Sequence, residues 1–190
     1  MNWKTRTTTI SNESLRFAVE EAGTVEFAFE RMDEATVEAP TRPQWECARG
    51  CDHCCHLLVE VTESEVNALL PLVTDAIRER IGATAARSSG LDAGQYRLAG
   101  IRCAFLDEHG DCLVYDHRPL RCRAHVSTSV ATCERVRAGD LPGGAVPGDG
   151  WLATSAAACQ HGLGAEVREL HIALDGALAD RIGSPDVHIG

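Results

Sequence analysis

The chain has 190 residues, of which 44% are hydrophobic, and it carries a formal net charge of −10. A chain of this length and composition can bury one hydrophobic core, so we expect residues 1–190 to form a single domain. The negative charge would repel nucleic-acid phosphates and argues against general nucleic-acid binding. No apolar run in the sequence approaches the roughly 20 residues that cross a bilayer, so we expect no membrane insertion.

The N-terminal segment predicts an amphipathic helix. In residues 11–32, apolar side chains recur at spacings of three and four, and Ser11 is a suitable N-cap. Pro40 and Pro43 are expected to stop helical structure and to deliver an extended chain to Trp45. The first ten residues contain no apolar stretch long enough for a secretory signal, so we expect a cytoplasmic protein, in a reducing compartment where disulfides are disfavoured.

Eight of the nine cysteines fall into two clusters, and the first comprises Cys47, Cys51, Cys54 and Cys55. Thiolates separated by two to four residues can converge on one metal ion or iron–sulfur cluster. The adjacent Cys54 and Cys55 would form a strained disulfide, whereas both can serve as metal ligands. The spacing therefore predicts that all four cysteines bind metal.

Two helices are expected after the first cluster. Thr62 and Glu65 have the spacing of a capping box, which predicts the start of a helix that Pro71 ends or kinks. A second helix is predicted near 72–88, and residues 88–94 are typical of a loop.

The second cluster comprises Cys103, Cys112, Cys122 and Cys133, which we also predict to be metal ligands. Short β-prone runs at 103–106 and 112–115 flank a glycine-containing turn, and this pattern predicts a β-hairpin that brings the first two of these cysteines together. Ser127 or Thr128 is expected to cap a helix that carries Cys133 and ends at Gly139.

Polar residues near the second cluster are candidate partners of the metal site. Guanidinium groups here would hydrogen-bond to and neutralise a thiolate centre, or bind an acidic ligand or substrate. Asp116 could orient Arg118, and nearby imidazoles could be ligands or donors to ligands. The candidate cofactor-binding residues are Arg118, Arg121 and Arg123, with Arg135 and Arg137 nearby, and the histidines are His53, His56 and His125.

The C-terminal part predicts a surface loop at 140–150, followed by helices at 151–161 and 165–182. Cys159 lies outside both clusters, and core packing and a ninth ligand both remain open for it. The expected fold is mainly α with one small β-hairpin, in a single metal-stabilised domain. Its cysteine-cluster core covers about 45–135, between helical flanks at 11–32 and 151–182.

The sequence resembles the CxxCxxCC cysteine-cluster family, a zinc- or iron-chelating domain. The matching segments are Gly50-Cys-Asp-His-Cys-Cys-His56, Cys103-Ala-Phe-Leu with Gly110-Asp-Cys-Leu-Val-Tyr115, and Arg118-Pro-Leu-Arg-Cys-Arg123. The family spacing usually begins C-x2-C, whereas three residues separate Cys47 from Cys51. The resemblance implies a metal or iron–sulfur centre held by these cysteines. A relative with the same domain is the lysine N-methylase that modifies bacterial flagellin, which suggests a role in a modification pathway with a protein substrate or partner.

Three functions from different classes follow from these patterns. The first is a redox or catalytic iron or iron–sulfur protein that serves a protein- or metabolite-modification pathway. The second is a structural zinc module with four thiolates around each ion. The third is metal delivery or storage without catalysis.

The sequence also predicts how the centre is built and which enzyme classes do not fit. Cys47, Cys51 and Cys54 have the spacing of radical-SAM enzymes, but the strands and helices do not alternate as a β/α barrel requires. No nucleophile–base pair or pair of carboxylates indicates a hydrolase, and enzymatic activity is left open. We expect both clusters to form one composite centre, with Cys54 and Cys55 directed to different groups of thiols because neighbours in an extended chain face opposite sides.

Overall fold

A computed structural model of the chain describes residues 12–39, 41–140, 148–164 and 166–183. The described residues are mainly helical, and two short strands pair antiparallel, with Glu60 opposite Glu169 and Val61 opposite Arg168. The predicted fold class, mainly α with one small antiparallel β pair, is confirmed. The elements are α1 (Asn12–Ala22), α2 (Val25–Glu38), β1 (Glu60–Val61), α3 (Glu63–Leu69), α4 (Asp75–Ser88), α5 (Ala93–Leu98), α6 (Leu120–Ala124), α7 (Val130–Ala138), α8 (Gly150–Leu163), β2 (Arg168–Glu169) and α9 (Leu170–Gly183). Within the ranges described, no helix is long and apolar enough to span a membrane.

The N-terminal stripe forms two helices, so the prediction of one helix over 11–32 is wrong. Gly23 has a φ of +66° and ends α1, since glycine adopts this left-handed conformation without strain. Thr24 then caps α2, because its Oγ1 accepts a hydrogen bond of 3.3 Å from the Phe27 N–H. α2 continues to Glu38, beyond the predicted end. Ser11 lies outside the described residues, and residues 42–44 form a 3₁₀ turn rather than an extended segment.

Two hydrophobic cores lie in the fold. The first core is formed by α1, α2, α6 and α8, and its buried members include Val19, Met32, Leu120, Leu152 and Cys159. The second core is formed by α3, α4, α9 and the segment around 104–114, and its buried members include Val61, Leu69, Ile81, Phe105 and Leu174.

The helices after the first cluster begin and end largely at the predicted signals. The Thr62–Glu65 capping box is present at the start of α3, and Leu70–Leu72 around Pro71 forms a 3₁₀ turn where the helix ends. α4 begins at Asp75 because Thr74 caps it. The predicted loop at 88–94 is partly wrong, because Asp92 and Gln95 form a second capping box that opens α5.

The predicted hairpin at 103–115 is present as a chain reversal with a single antiparallel bridge between Leu106 and Cys112. The Asp107 carboxylate stabilises the turn, since it accepts hydrogen bonds from the His109 and Asp111 N–H groups. Residues 104–105 form a turn in which the Leu106 N–H donates to the Cys103 carbonyl at 3.2 Å, and the Cys103 N–H pairs with the Cys55 carbonyl at 2.9 Å, so neither backbone group extends the ladder.

The C-terminal elements differ from prediction at their N-terminal ends. α7 is capped by Ser129 instead of the predicted Ser127 or Thr128, and it ends before Gly139, whose φ is +80°. α9 begins at Leu170 rather than 165, because residues 168–169 pair with β1. Asp149 caps α8, and residues 141–147 of the predicted loop lie outside the described residues.

Candidate metal centre

Cysteines from both sequence clusters line one cavity of about 440 Å³. Residues of both hydrophobic cores also contribute to its walls, among them Ala124 from the first and Phe105 from the second. The fold therefore brings together thiols that are about 60 residues apart along the chain. The cysteines that line the cavity are Cys51, Cys54, Cys55, Cys103, Cys112 and Cys122.

The vicinal cysteines lie in a 3₁₀ turn that spans His53–His56. In this turn the Cys54 and Cys55 side chains are close enough to share a hydrogen bond, so their sulfurs do not face opposite sides. The Cys55 carbonyl accepts a hydrogen bond of 2.9 Å from the Cys103 N–H, which ties the turn to the second cluster. The local conformation is thus not the extended one on which the prediction of divergent thiols was based.

Cys47 and Cys133 lie beside the cavity and are not among the residues that line it. The Cys47 sulfur accepts a hydrogen bond of 3.0 Å from the Ser127 N–H. Cys47 is exposed as a residue, but partial burial of its thiol raises the pKa. The hydrogen bond from Ser127 lowers this pKa, and charges on Cys51, Cys54 and Cys133 raise it, which places Cys133 near the first cluster. The structure therefore groups Cys133 with thiols from which it is separated by about 80 residues.

Most of the thiols have raised pKa values. Burial raises the pKa of Cys103 to about 11 and that of Cys122 well above the ordinary thiol value. For Cys54, a hydrogen bond with Cys55 is the largest cause of the raised pKa, followed by burial. These thiols are neutral at pH 7 in the absence of metal, so metal binding must release protons.

The thiols surround the cavity and do not converge. All nine cysteines are free, and among the residues with a described placement no three His, Cys, Asp or Glu side chains form a ready-made metal site. Metal binding would therefore have to draw side chains inward from the cavity wall. The donor set itself fits zinc or iron, since soft thiolates favour these metals.

The three candidate arginines occupy different environments. Arg118 and Arg121 line the cavity. The Arg118 guanidinium lies 3.9 Å from the centre of the Tyr115 ring and donates from Nε to the Tyr115 carbonyl at 3.0 Å. Arg123 does not line the cavity: its buried guanidinium donates to the Asp33 carboxylate at 2.6 Å.

Arg123 therefore anchors the cysteine-rich segment to α2. It also donates to the carbonyls of Arg118 and Asp116 and lies over the Phe29 ring at 4.5 Å. Asp116 contributes this carbonyl to Arg123, and no hydrogen bond joins its carboxylate to Arg118 in the described part of the chain. Arg137 pairs with Asp52 at 3.0 Å, next to the first cluster.

The candidate histidines lie at the edge of the thiol group. His125 lines the cavity, and burial lowers its pKa, so its imidazole is neutral at pH 7. His56 is buried, with its Nε2 3.6 Å from the Asp52 carboxylate, and burial lowers its pKa as well. His53 Nε2 lies 3.8 Å from the Glu134 carboxylate. The neutral imidazoles of His125 and His56 can bind metal or donate to a ligand.

His171 on α9 also lines the cavity, although it was not among the histidines predicted from the sequence. Its Nε2 accepts a hydrogen bond of 3.1 Å from the Ala104 N–H, so the proton is on Nδ1 and is donated to Glu169 at 2.7 Å. Burial is the largest influence on Glu169 and raises its pKa, but hydrogen bonds from His171 and Ile172 outweigh it and leave the pKa below the ordinary value. An ionised Glu169 thus orients His171 so that its Nε2 bonds to the backbone of Ala104, which is the residue next to Cys103.

Glu65 is fully buried and organises the other side of the cavity. Besides closing the capping box with Thr62, its carboxylate accepts from the Leu120 N–H at 2.8 Å and from Gln160 Nε2 at 3.1 Å. Leu120 begins α6, the helix that carries Cys122, so Glu65 fixes the position of that helix. The sequence predicted only the capping-box part of this role.

Comparisons of the chain with curated proteins and with solved structures found no match. Residues 46–139 match the family model CxxCxxCC, which is described as a "putative zinc- or iron-chelating domain". The matched segment includes both cysteine clusters and ends before Gln160, Glu169 and His171. The chain therefore contains, at residues 46–139, a segment that matches the CxxCxxCC family, and this segment contains eight of its nine cysteines.

Proposed function

We propose that the eight clustered cysteines hold iron in one composite centre, as an iron–sulfur cluster or as bound iron ions. The observation that carries this proposal is the cavity lined by six cysteines from both sequence clusters. The neighbouring pair Cys47 and Cys133 would complete the set of eight. Free thiols at all nine positions fit the reducing cytoplasm in which such a centre forms.

The surroundings of the thiols support an accessible centre over a closed structural zinc site. A structural zinc ion is enclosed by four ligands, whereas here a cavity of about 440 Å³ adjoins the thiols. Ala104, Phe105 and Val114 are buried in the second hydrophobic core, so apolar packing already contributes to holding the segment 104–114 in place. An accessible iron centre would suit redox chemistry in a protein- or metabolite-modification pathway.

The second candidate is metal delivery or storage without catalysis. Cys47 is exposed, and an exposed thiolate would allow the metal to exchange with a partner. A structural zinc module is the remaining alternative.

The experiment is to purify the protein without oxygen and to measure iron, zinc and acid-labile sulfide together with the optical spectrum. Cys51→Ser and Cys112→Ser should lower the metal content equally, because each removes one thiolate from the same centre. Cys159→Ser is the matched control, since Cys159 is buried in the first core and does not line the cavity. It should retain the metal content of the unmodified protein.

Two results would contradict the proposal. Unchanged metal content in Cys112→Ser, with loss in Cys51→Ser, would show that the clusters are independent. A colourless protein that contains zinc and no iron would replace the iron assignment with the zinc alternative.

A further inference from the structure

Arg118 and Arg121 line the same cavity but have different relations to the thiols. Arg118 is among the main influences on the pKa of Cys54, Cys112 and Cys122, and it favours the thiolate at each. Arg118 is held by the carbonyl and the ring of Tyr115, whereas the Nε of Arg121 donates to Gln160. Arg121 is therefore a second cation in the cavity wall, held by a residue outside the cysteine clusters.

Arg121 is held in place by a buried hydrogen-bond network. Its Nε donates to Gln160 Oε1 at 2.9 Å, and Gln160 in turn donates to Glu65 at 3.1 Å and to the Glu60 carbonyl at 2.8 Å. Gln160 is 3% exposed, so this support is rigid. No residue that the structure describes accepts a hydrogen bond from the two terminal nitrogens of Arg121. Two parallel N–H groups of a fixed guanidinium match the two oxygens of a carboxylate.

The wall of the cavity also contains apolar side chains that belong to neither hydrophobic core. Leu57 and Leu58 are half-buried and line the cavity, yet neither belongs to either hydrophobic core. A volume of about 440 Å³ lies within the usual range of small-molecule sites, roughly 300–1,000 Å³. The cavity thus combines a fixed cation with an apolar surface, beside the thiol group.

We propose that this cavity binds a small organic carboxylate with an apolar tail, whose carboxylate pairs with Arg121 and whose tail lies along Leu57 and Leu58. This inference rests on the proposed function, because the carboxylate would be the class of molecule that is brought to the metal centre. Binding of the carboxylate depends only on Arg121 and on the apolar wall of the cavity. Gln160, which positions Arg121, lies outside the segment that matches the family, so the site is a feature of this chain rather than of the family segment alone.

The test is isothermal titration calorimetry with octanoate on the full-length protein purified without oxygen. We expect Arg121→Gln to weaken octanoate binding roughly ten- to a hundredfold, the usual effect of losing a charge-assisted pair. Metal content should be unchanged in this variant. Leu58→Ala should weaken octanoate binding several-fold, and 1-octanol, which lacks the charge, should bind the unmodified protein at least tenfold more weakly than octanoate. Arg181→Gln, an exposed position on α9, is the matched control and should bind octanoate normally.

Three outcomes would overturn the inference. Octanoate binding that is absent, or that is equal in Arg121→Gln and the unmodified protein, would remove the carboxylate site. Metal loss in Arg121→Gln would show that Arg121 serves the thiolates. Inorganic phosphate that binds more tightly than octanoate would indicate a simple anion site without an apolar tail. Absence of metal from the unmodified protein would instead refute the proposed centre, and octanoate binding would still stand, so the two failures are distinguishable.

Discussion

Replacement of Glu65 by Ala should strongly destabilise the protein. The Glu65 carboxylate is fully buried and accepts hydrogen bonds from the Thr62 N–H at 2.8 Å, Thr62 Oγ1 at 3.0 Å, the Leu120 N–H at 2.8 Å and Gln160 Nε2 at 3.1 Å. Alanine leaves the N–H groups of Thr62 and Leu120 and one N–H of Gln160 buried without this acceptor. Each such group costs about 1–3 kcal/mol, so the free energy of unfolding should fall by at least about 3 kcal/mol.

The measurement is equilibrium urea unfolding followed by circular dichroism, with all proteins in the same metal state. Glu63→Ala is the matched control, because Glu63 lies in the first turn of the same helix and is exposed. Its effect should stay below about 1 kcal/mol. Equal and small losses for the two variants would refute the reasoning, since they would mean that the buried network around Glu65 does not support the fold. Glu65→Ala should also retain less metal, because Leu120 begins the helix that carries Cys122.

Two further predictions concern the packing and capping of α8. Gly162→Ala should lower the free energy of unfolding by about 1–3 kcal/mol, because a Cβ at Gly162 would lie 2.7 Å from the backbone oxygen of Arg16 and 2.9 Å from Val19 Cβ. Gly176→Ala on α9 meets nothing within 4 Å and should raise stability by about 0.5–1 kcal/mol, so thermal melting of the two variants should shift in opposite directions. Asp149→Ala should cost about 1 kcal/mol at pH 7, since Asp149 caps α8. Burial raises the pKa of Asp149, but hydrogen bonds from Thr41 and the helix N-terminus outweigh burial and leave the pKa below its ordinary value of 3.8. The stabilisation by Asp149 is therefore present above pH 3.8 and is lost as the pH falls through the lower pKa of the folded protein. A stability difference between the variant and the unmodified protein that stayed constant from pH 7 to pH 3 would contradict the assignment.

The features that the sequence predicted correctly depend on residues close together in the chain. The Thr62–Glu65 capping box, the break at Pro71 and the end of α7 at Gly139 each involve fewer than five consecutive positions. Such signals act through backbone hydrogen bonds and dihedral angles that distant residues alter little. Asp92 and Gln95 carried the same kind of signal for α5, so that helix could also have been found.

The errors arose where distant packing decides the structure. Apolar residues continue at helical spacing across Gly23 because α1 and α2 both pack on the first core, so periodicity alone did not show the break. β1 and β2 are two residues long and more than 100 residues apart, which leaves no local pattern to detect. The same holds for His171, whose place at the cavity depends on α9 packing against α4 and the segment after Cys103.

The cysteine spacing led to the prediction that both clusters share one centre, and cysteines of both clusters line one cavity, while their role as ligands stays a prediction. The spacing did not show that Cys133 lies near Cys47. Electrostatic influence connects Cys54 to Cys47 and Cys51 on one side and to Cys103, Cys112 and Cys122 on the other. In the 3₁₀ turn Cys54 and Cys55 are close enough to share a hydrogen bond, whereas an extended strand would send them to opposite faces. The hydrogen bond from the Cys103 N–H to the Cys55 carbonyl then fixes the turn against the second cluster. Cys54 therefore lies between the two groups of thiols, and this is the structural reason to expect that a change at Cys112 affects metal bound near Cys51.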